Sequence, residues 1–467
     1  MSEAVLAPPR GRTCSSALTL SISVLAVAAL AGSAWAQDAA AAPPTIDKGD
    51  TAWILVATAL VMSMTAPGLA LFYGGLVRSK NILTVLMQCF TCLAMISIQW
   101  ILFGYTIAFG TSQNGLIGGL DFLGLAGVTG EPNPAYSATL PHLSFMMFQG
   151  TFAIITPALI VGAFAERMKF SAFLLFTFLW ATLIYCPLAH WVWGVGGWIR
   201  DMGALDFAGG TVVHISSGIS ALAAVLVIGK RIGHGHEAMP PHNLPLTVAG
   251  AAMLWFGWFG FNAGSALAAD GIAANAFVTT NTGAAAATLG WIFIEWWRTG
   301  KPTVLGAASG AVAGLVSITP GAGFVTPLSA IVIGFLGGVI CYYGIHLKEI
   351  LGADDALDVV GVHGVGGIWG ALATGIFATT AVNPAGANGL LHGNPGQLVT
   401  QAIAVGATLV FCFVGAFVLL KVTDVLVGLR VSEEDEFTGL DLSQHRERAY
   451  VLEIGRASCR ERVFVGV

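Results

Sequence analysis

Eleven stretches of this chain are apolar over roughly the length that crosses a bilayer, and short polar segments separate them. They run over about 52–77, 82–109, 140–164, 170–191, 207–229, 243–264, 272–297, 303–319, 324–347, 357–380 and 398–428. Each is near the ~20 residues with which a helix spans a hydrocarbon core. Because lipid offers no hydrogen bonds, a backbone crossing it must satisfy its own, and runs of this length are predicted to be transmembrane helices. A shorter apolar core, Ala17 to Leu30, follows Arg10 and Arg12 and ends at Ala34-Trp35-Ala36, a small-x-small pattern. Residues 1–36 therefore read as a cleaved signal peptide, with 37–51 as a periplasmic N-terminal segment, 52–428 as the membrane domain and 429–452 as a cytoplasmic tail.

Charge placement orients these spans. Lys and Arg in the connecting loops fall after odd-numbered runs: Arg78 and Lys80, Arg167 and Lys169, Lys230 and Arg231, Arg298 and Lys301, and Lys348. The loops after even-numbered runs carry only Arg200. Basic residues stay on the cytoplasmic side, so the mature N-terminus is expected outside and the C-terminus inside. Spans 1–5 and 6–10 must then run in opposite senses, because five is odd. The expected fold is an all-α polytopic membrane protein of two inverted five-helix repeats with a long eleventh helix. Composition agrees: 10% of the 467 residues are charged, against about 25% in soluble domains. No basic patch suits a nucleic acid, no cysteine pattern suggests a disulfide framework or metal, and no nucleophile or cofactor motif points to an enzyme.

Each half places one histidine in a glycine-rich fifth span. DFAGGTVVHISSGIS (206–220) carries His214 with Gly210 and Gly218 at i−4 and i+4, expected to leave a clearing around the ring; DVVGVHGVGGIWG (358–370) carries His363. Ionisable groups at membrane depth mark pathways, although either ring could instead bond a neighbouring carbonyl. Asp206 lies eight positions before His214 and Asp358 five before His363, each placed like a helix cap. The two imidazoles would meet midway if the second helix begins near Asp354.

Further motifs surround these: LFYGGLVRSKN (71–81), FQGTFA (148–153), GAFAERMKFSAF (162–173), HWVWG (190–194), GWFGFNAGSA (257–266) and GLRVSEEDEFTGLDL (428–442). In this order and spacing the chain resembles the ammonium transporter family, of the bacterial Amt type, over about residues 46–450. By themselves Phe152, Trp193 and Ser265 fall at outer span ends, where aromatic faces attract a cation and a hydroxyl accepts from ammonium but not from potassium. The resemblance implies that these three form an external ammonium site, with Phe148 contributed by a neighbouring subunit. It further implies a gate of Phe152 and Phe261, a pore lined by His214 and His363, and a structural and electrostatic role for Asp206. Trp258 and Asn262 are expected to shape the pore.

The same resemblance implies a homotrimer in the bacterial inner membrane, surrounded by membrane lipid. Ammonium, with methylammonium as a possible analogue, would be deprotonated near the gate and cross as ammonia. The tail would pack beneath the subunits and help dock a trimeric PII signalling protein. A Rhesus-type neutral gas channel and an ammonium sensor with little flux are the competing readings. Residues 453–467, EIGRASCRERVFVGV, read like translated sequencing-adaptor DNA.

Overall fold

A computed structural model describes residues 44–450. The expected signal peptide, residues 37–43 of the expected periplasmic segment and the expected adaptor-like tail 453–467 lie outside the described residues. Each predicted run forms a helix: α1 (Lys48–Leu76), α2 (Ile82–Phe109), α3 (His142–Phe164), α4 (Phe170–Asp201), α5 (Gly210–Ile228), α6 (Leu244–Gly264), α7 (Gly271–Thr299), α8 (Val304–Ile318), α9 (Pro327–Ile350), α10 (Val360–Phe377) and α11 (Pro395–Val427). All but the 15-residue α8 are long and apolar enough to cross a membrane. Their starts are chemically marked. Asp47, Asn243, Asp270, Thr303 and Thr326 accept backbone N–H bonds ahead of α1, α6, α7, α8 and α9. Such caps satisfy donors that a helix end leaves free.

The loops separate onto two ends. On one, a buried ion network joins four of them: Arg78 to Glu166 at 2.7 Å, Arg231 to Glu166 at 3.1 Å and to Asp354 at 2.8 Å, and His234 to Asp354 at 3.1 Å. Burial alone would raise the Asp354 carboxyl, but the Arg231 fork and the Arg167 charge outweigh it and hold that group below the usual carboxylate range. Breaking such a buried pair by removing one partner costs about 3–5 kcal/mol. The tail sits at this same end as α12 (Glu433–Thr438) and α13 (Leu440–His445). Asp441 accepts from the backbone N–H of Leu83 at 3.0 Å and Thr84 at 2.8 Å, capping α2 from outside its own sequence. At the opposite end Asp50 accepts from Ala269 N–H at 2.8 Å, Phe207 N–H donates to Pro320 and Thr379 N–H donates to Phe324. Loops after odd helices thus gather with the tail and those after even helices with the N-terminus, as alternating crossings require. The repeat-equivalent pairs α1 with α6 and α5 with α10 pack on one another.

The crossing of α5 and α10 places the histidines. A Cβ added to Gly218 would lie 2.1 Å from the Gly364 nitrogen and 2.4 Å from its Cα, so the two backbones touch there. One on Gly210 would meet the Pro320 ring at 2.5 Å. The expected clearing around His214 is therefore a correction: these glycines admit neighbouring chain rather than open space. Nor are the rings on regular α-turns. His214 lies in a π-helical turn, Gly210–Ile215, in which its N–H reaches back to Gly209 at 3.0 Å, and His363 lies in another, Val360–Val365. Such wide turns are uncommon and recur at functional sites.

Gly218→Ala is expected to destabilise the protein by about 1–3 kcal/mol, as overpacking does. Gly271→Ala, whose Cβ meets nothing within 4 Å, is expected to be near neutral. Thermal unfolding in detergent checks both; equal melting temperatures for the two variants would contradict the contact at the crossing.

Candidate functional site

Three cavities follow one another through the bundle. The outer one, ≈ 200 Å³, is lined by Phe152, Trp193, Ser265 and Gln149 among others. Trp193 closes the regular helix of α4 before Gly194, and its indole N–H donates to the Asp206 carbonyl at 2.9 Å, which fixes the ring plane. Phe152 meets it edge to face, with centroids 5.6 Å apart. Ser265 ends α6 and spends its hydroxyl proton on the Phe261 carbonyl at 2.8 Å. Its lone pairs are left for a donor in the cavity. Phe148 is a correction. Its ring is fully buried in its own chain, 5.0 Å from Phe152, so it supports this chain's cavity rather than reaching a neighbour's.

Phe152 and Phe261 touch, with centroids 4.5 Å apart and each about 1% exposed, and they separate the outer cavity from the next. That second cavity, ≈ 10 Å³, has room for about one water-sized guest. Its walls are apolar side chains such as Leu69, Ile155, Leu159 and Val312, together with Trp258 and the two imidazoles. The Nδ1 atoms of His214 and His363 stand 3.2 Å apart. One must donate to the other, since two like nitrogens bond only when a single proton lies between them. Nε2 of His214 is buried and has no hydrogen-bond partner among the described residues. Trp258 stacks on His214 at 5.5 Å and is itself held by Thr319 at 2.8 Å. Asn262 accepts from that threonine at 3.3 Å and donates to Thr280 at 2.9 Å, one step behind the wall.

His363 also borders the third cavity, ≈ 290 Å³, together with Tyr73, Lys348 and Asp358. The lining thus changes from aromatic to oily to charged along one line, with the histidines at the last boundary.

The aspartates divide differently from expectation. Asp206 does cap α5: Oδ1 accepts from Gly209 and Gly210 at 2.8 and 2.6 Å, and Oδ2 from Thr211 N–H at 2.8 Å, Val212 N–H at 3.3 Å and the Thr211 hydroxyl. Asp358 does not cap α10. It has φ 61° and pairs with Lys348 at 2.5 Å. The capping role falls to Asp355, whose Oδ2 accepts from Val360 N–H at 2.7 Å. Asp355 precedes His363 by eight positions, as Asp206 precedes His214. That repeated spacing was the available signal; the Asp358 cap is overturned by its pairing with Lys348 and by the bond of Val360 to Asp355. The helix also starts at Val360 rather than near Asp354. His363 still reaches His214, because the preceding loop is itself sunk into the protein, Asp354 and Asp355 being 1% and 2% exposed. Sequence reading missed the ion network as well, which has no spacing signature. Among the described residues no cluster of His, Cys, Asp and Glu could hold a metal.

Comparison with known proteins adds a family. The model of the Ammonium Transporter Family matches residues 52–450. An ammonium transporter of Bacillus subtilis is 56% identical over 403 residues, covering 86% of this chain and 98% of that protein. The crystal structure of Saccharomyces cerevisiae Mep2 aligns with a TM-score of 0.78 at 39% identity, covering 83% of this chain and 91% of that one. A structure titled a sensor Amt protein aligns with a TM-score of 0.78 at 30% identity, over 85% and 98%.

Asp355 supplies a prediction outside the spans. Burial and the neighbouring Asp358 charge push its carboxyl up to about 7, against an unfolded value near 3.9. A raised folded value means that the protonated form stabilises the fold, fully below the unfolded value, and that this is lost as pH rises through about 7. The effect is on the order of 1.4 kcal/mol per unit of displacement. The melting temperature of the wild type should fall between about pH 4 and 7 and level off above that, and that of Asp355→Asn, which keeps an acceptor for Val360, should fall less over the same range; parallel profiles would refute this.

Proposed function

We propose, for a chain that belongs to the ammonium transporter family, that it takes up ammonium at the outer cavity and passes it through the bundle as ammonia. The observation that carries this reading is the succession of linings. A cation is welcome in the outer cavity, where the faces of Trp193 and Phe152 attract it by about 0.5–2 kcal/mol per contact and Ser265 offers a lone pair. It is unwelcome below Phe152 and Phe261, where apolar walls replace none of its hydration. Burying an unpaired ion costs several kcal/mol, so ammonium gives its proton to water in the outer cavity before the gate and the small neutral molecule continues. The phenylalanine rings must turn aside for it to pass.

His214 and His363 then give the guest a polar edge inside an otherwise oily passage. One proton between the two Nδ1 atoms holds the neutral rings in register; with that proton on His214 its Nε2 accepts an N–H from ammonia, and with it on His363 the His214 Nε2–H donates to the ammonia lone pair. The product reaches the third cavity and is protonated again at the end where Lys348, Asp358 and Arg231 gather. By family resemblance the protein works as a homotrimer with one conduit per subunit, and its docked tail offers a surface to a PII partner. The basic residues of those loops support a cytoplasmic position for that end in a bacterial cell, with the aromatic cavity outside. Its role is transport rather than catalysis.

Reconstituted vesicles test this. Ammonium pulses should produce saturable uptake into wild-type vesicles with strong discrimination against potassium, and His214→Ala and His363→Ala should each change flux or that discrimination by about tenfold or more, the scale of one lost hydrogen bond to a buried partner. Wild-type vesicles that bind ammonium but carry none would refute transport and leave a receptor. Unaltered flux and selectivity in both variants would refute the pore assignment.

A further inference from the structure

Four charged side chains border the third cavity: Arg231, Glu295, Lys348 and Asp358. Two of them are held from several sides. Arg231 is forked between Glu166 and Asp354, at 3.1 and 2.8 Å, and Glu295 accepts both the N–H and the hydroxyl of Thr303 at 2.9 Å. Lys348 and Asp358 have only each other. The lysine Nζ donates to Oδ1 at 2.5 Å, and neither side chain bonds any other group among the described residues. The pair is also open to the cavity it lines, with 28% of the lysine side chain and 32% of the aspartate side chain exposed. A carboxylate at the exit of a cation's route is a place for that cation to lodge. Ammonium re-formed here carries one positive charge and four N–H donors, and Asp358 would accept from it as it accepts from the lysine ammonium, which has the same charge and three such donors. Conduction requires sites that the cargo leaves readily.

We infer that Asp358 is a latent site for a monovalent cation of ammonium's size at the inner end of the conduit, and that Lys348 is its built-in occupant, which keeps ammonium from lodging there; the inference rests on the transport reading given above. The lysine competes well because it is tethered. A group on a short flexible stem meets its partner at an effective concentration on the order of millimolar or higher, whatever the solution supplies. Lys348 lies in the last turn of α9 and Asp358 in the loop ahead of α10, ten positions on, so the stem alone decides whether the carboxylate is covered. Glu295 needs no such occupant, since the Thr303 donors already fill it. The inner cavity is thereby left without a free carboxylate among its described lining residues, and the cargo that gains a proton there finds nothing to hold it.

Lys348→Met keeps the stem and removes the charge, and Lys348→Arg keeps the charge. Two readouts are needed: anomalous diffraction from crystals of the full chain soaked in rubidium chloride, rubidium being a monovalent cation close to ammonium in size, and maximal ammonium uptake into vesicles. Wild type and Lys348→Arg are expected to show no rubidium beside Asp358. Lys348→Met is expected to hold rubidium there, and its maximal uptake per folded protein is expected to fall about two- to fivefold, the weight of one partly exposed charge pair handed to the cargo. Lys348→Met combined with Asp358→Asn is expected to lose the ion and regain wild-type uptake. Should the methionine variant fail to fold, Lys348→Gln carries the same expectations. A purely structural pair would lower folded protein or uptake alike in the single and the double variant, with no rubidium at Asp358. That result, rubidium already beside Asp358 in wild type, or wild-type uptake in Lys348→Met would overturn the role given to the lysine and leave transport standing. Rubidium bound in Lys348→Met alone, while wild-type vesicles carry no ammonium, would uphold the latent site and overturn transport instead.

Discussion

The contact between Gly218 and Gly364 is the constraint from which the rest of the arrangement follows. Two helices of opposite sense can bring their side chains together at mid-depth only if their backbones touch, and a single methyl group at this crossing would strike main-chain atoms. With the backbones in contact, the Nδ1 atoms of His214 and His363 come within 3.2 Å of one another. In hydrocarbon surroundings this mutual bond satisfies one polar atom on each ring at no expense to the surrounding helices. The π turns contribute to the same end. Each inserts an extra residue just ahead of the crossing and so turns an imidazole toward its partner instead of toward a regular α-helical face.

Around that pair the protein arranges its polarity by depth. Glu166, Arg167 and Asp354 are buried and Arg231 half-buried, yet they lie together at one end, where with Arg78 they tie the α1–α2, α3–α4, α5–α6 and α9–α10 loops into a collar. Aromatic groups gather at the other end, and the middle is apolar apart from the imidazoles and an anchored indole. The two ends of the inverted repeat have also diverged chemically. Asp206 has both carboxylate oxygens filled by backbone and hydroxyl donors, whereas its counterpart Asp355 fills one and finds no partner for Oδ1 among the described residues, beside the Lys348–Asp358 pair. One end is thus rigidly capped, and the other retains a group able to hold a proton.

Much of this could be read from the chain, for definite reasons. Helix positions follow from the length of apolar runs, because bilayer thickness and the backbone's need for hydrogen bonds leave little choice. The sorting of loops followed from Arg and Lys placement, and the meeting of His214 with His363 followed from repeat parity. Features set by local backbone irregularity were not legible. Nothing in GTVVHI or VGVHGV announces a π turn, and without it the glycines appear to clear space for a ring instead of for a facing helix. Asp358 attracted the capping role because it is nearest, while the true cap, Asp355, needed the eight-residue spacing of the first half laid over the second. The burial of Phe148 depends on Gly264, which lets that ring pack beneath α6 and which is remote in sequence.

The central claim is that the two imidazoles are bonded to one another at the helix crossing, and the most direct measurement is the dipolar coupling between histidine ring nitrogens in ¹⁵N-labelled protein in lipid bilayers. The account predicts a through-space contact between the Nδ1 atoms of His214 and His363 at about the 3.2 Å separation of the structure, lost when either histidine is replaced. Absence of that contact in folded wild-type protein, with each ring bonded elsewhere, would contradict it.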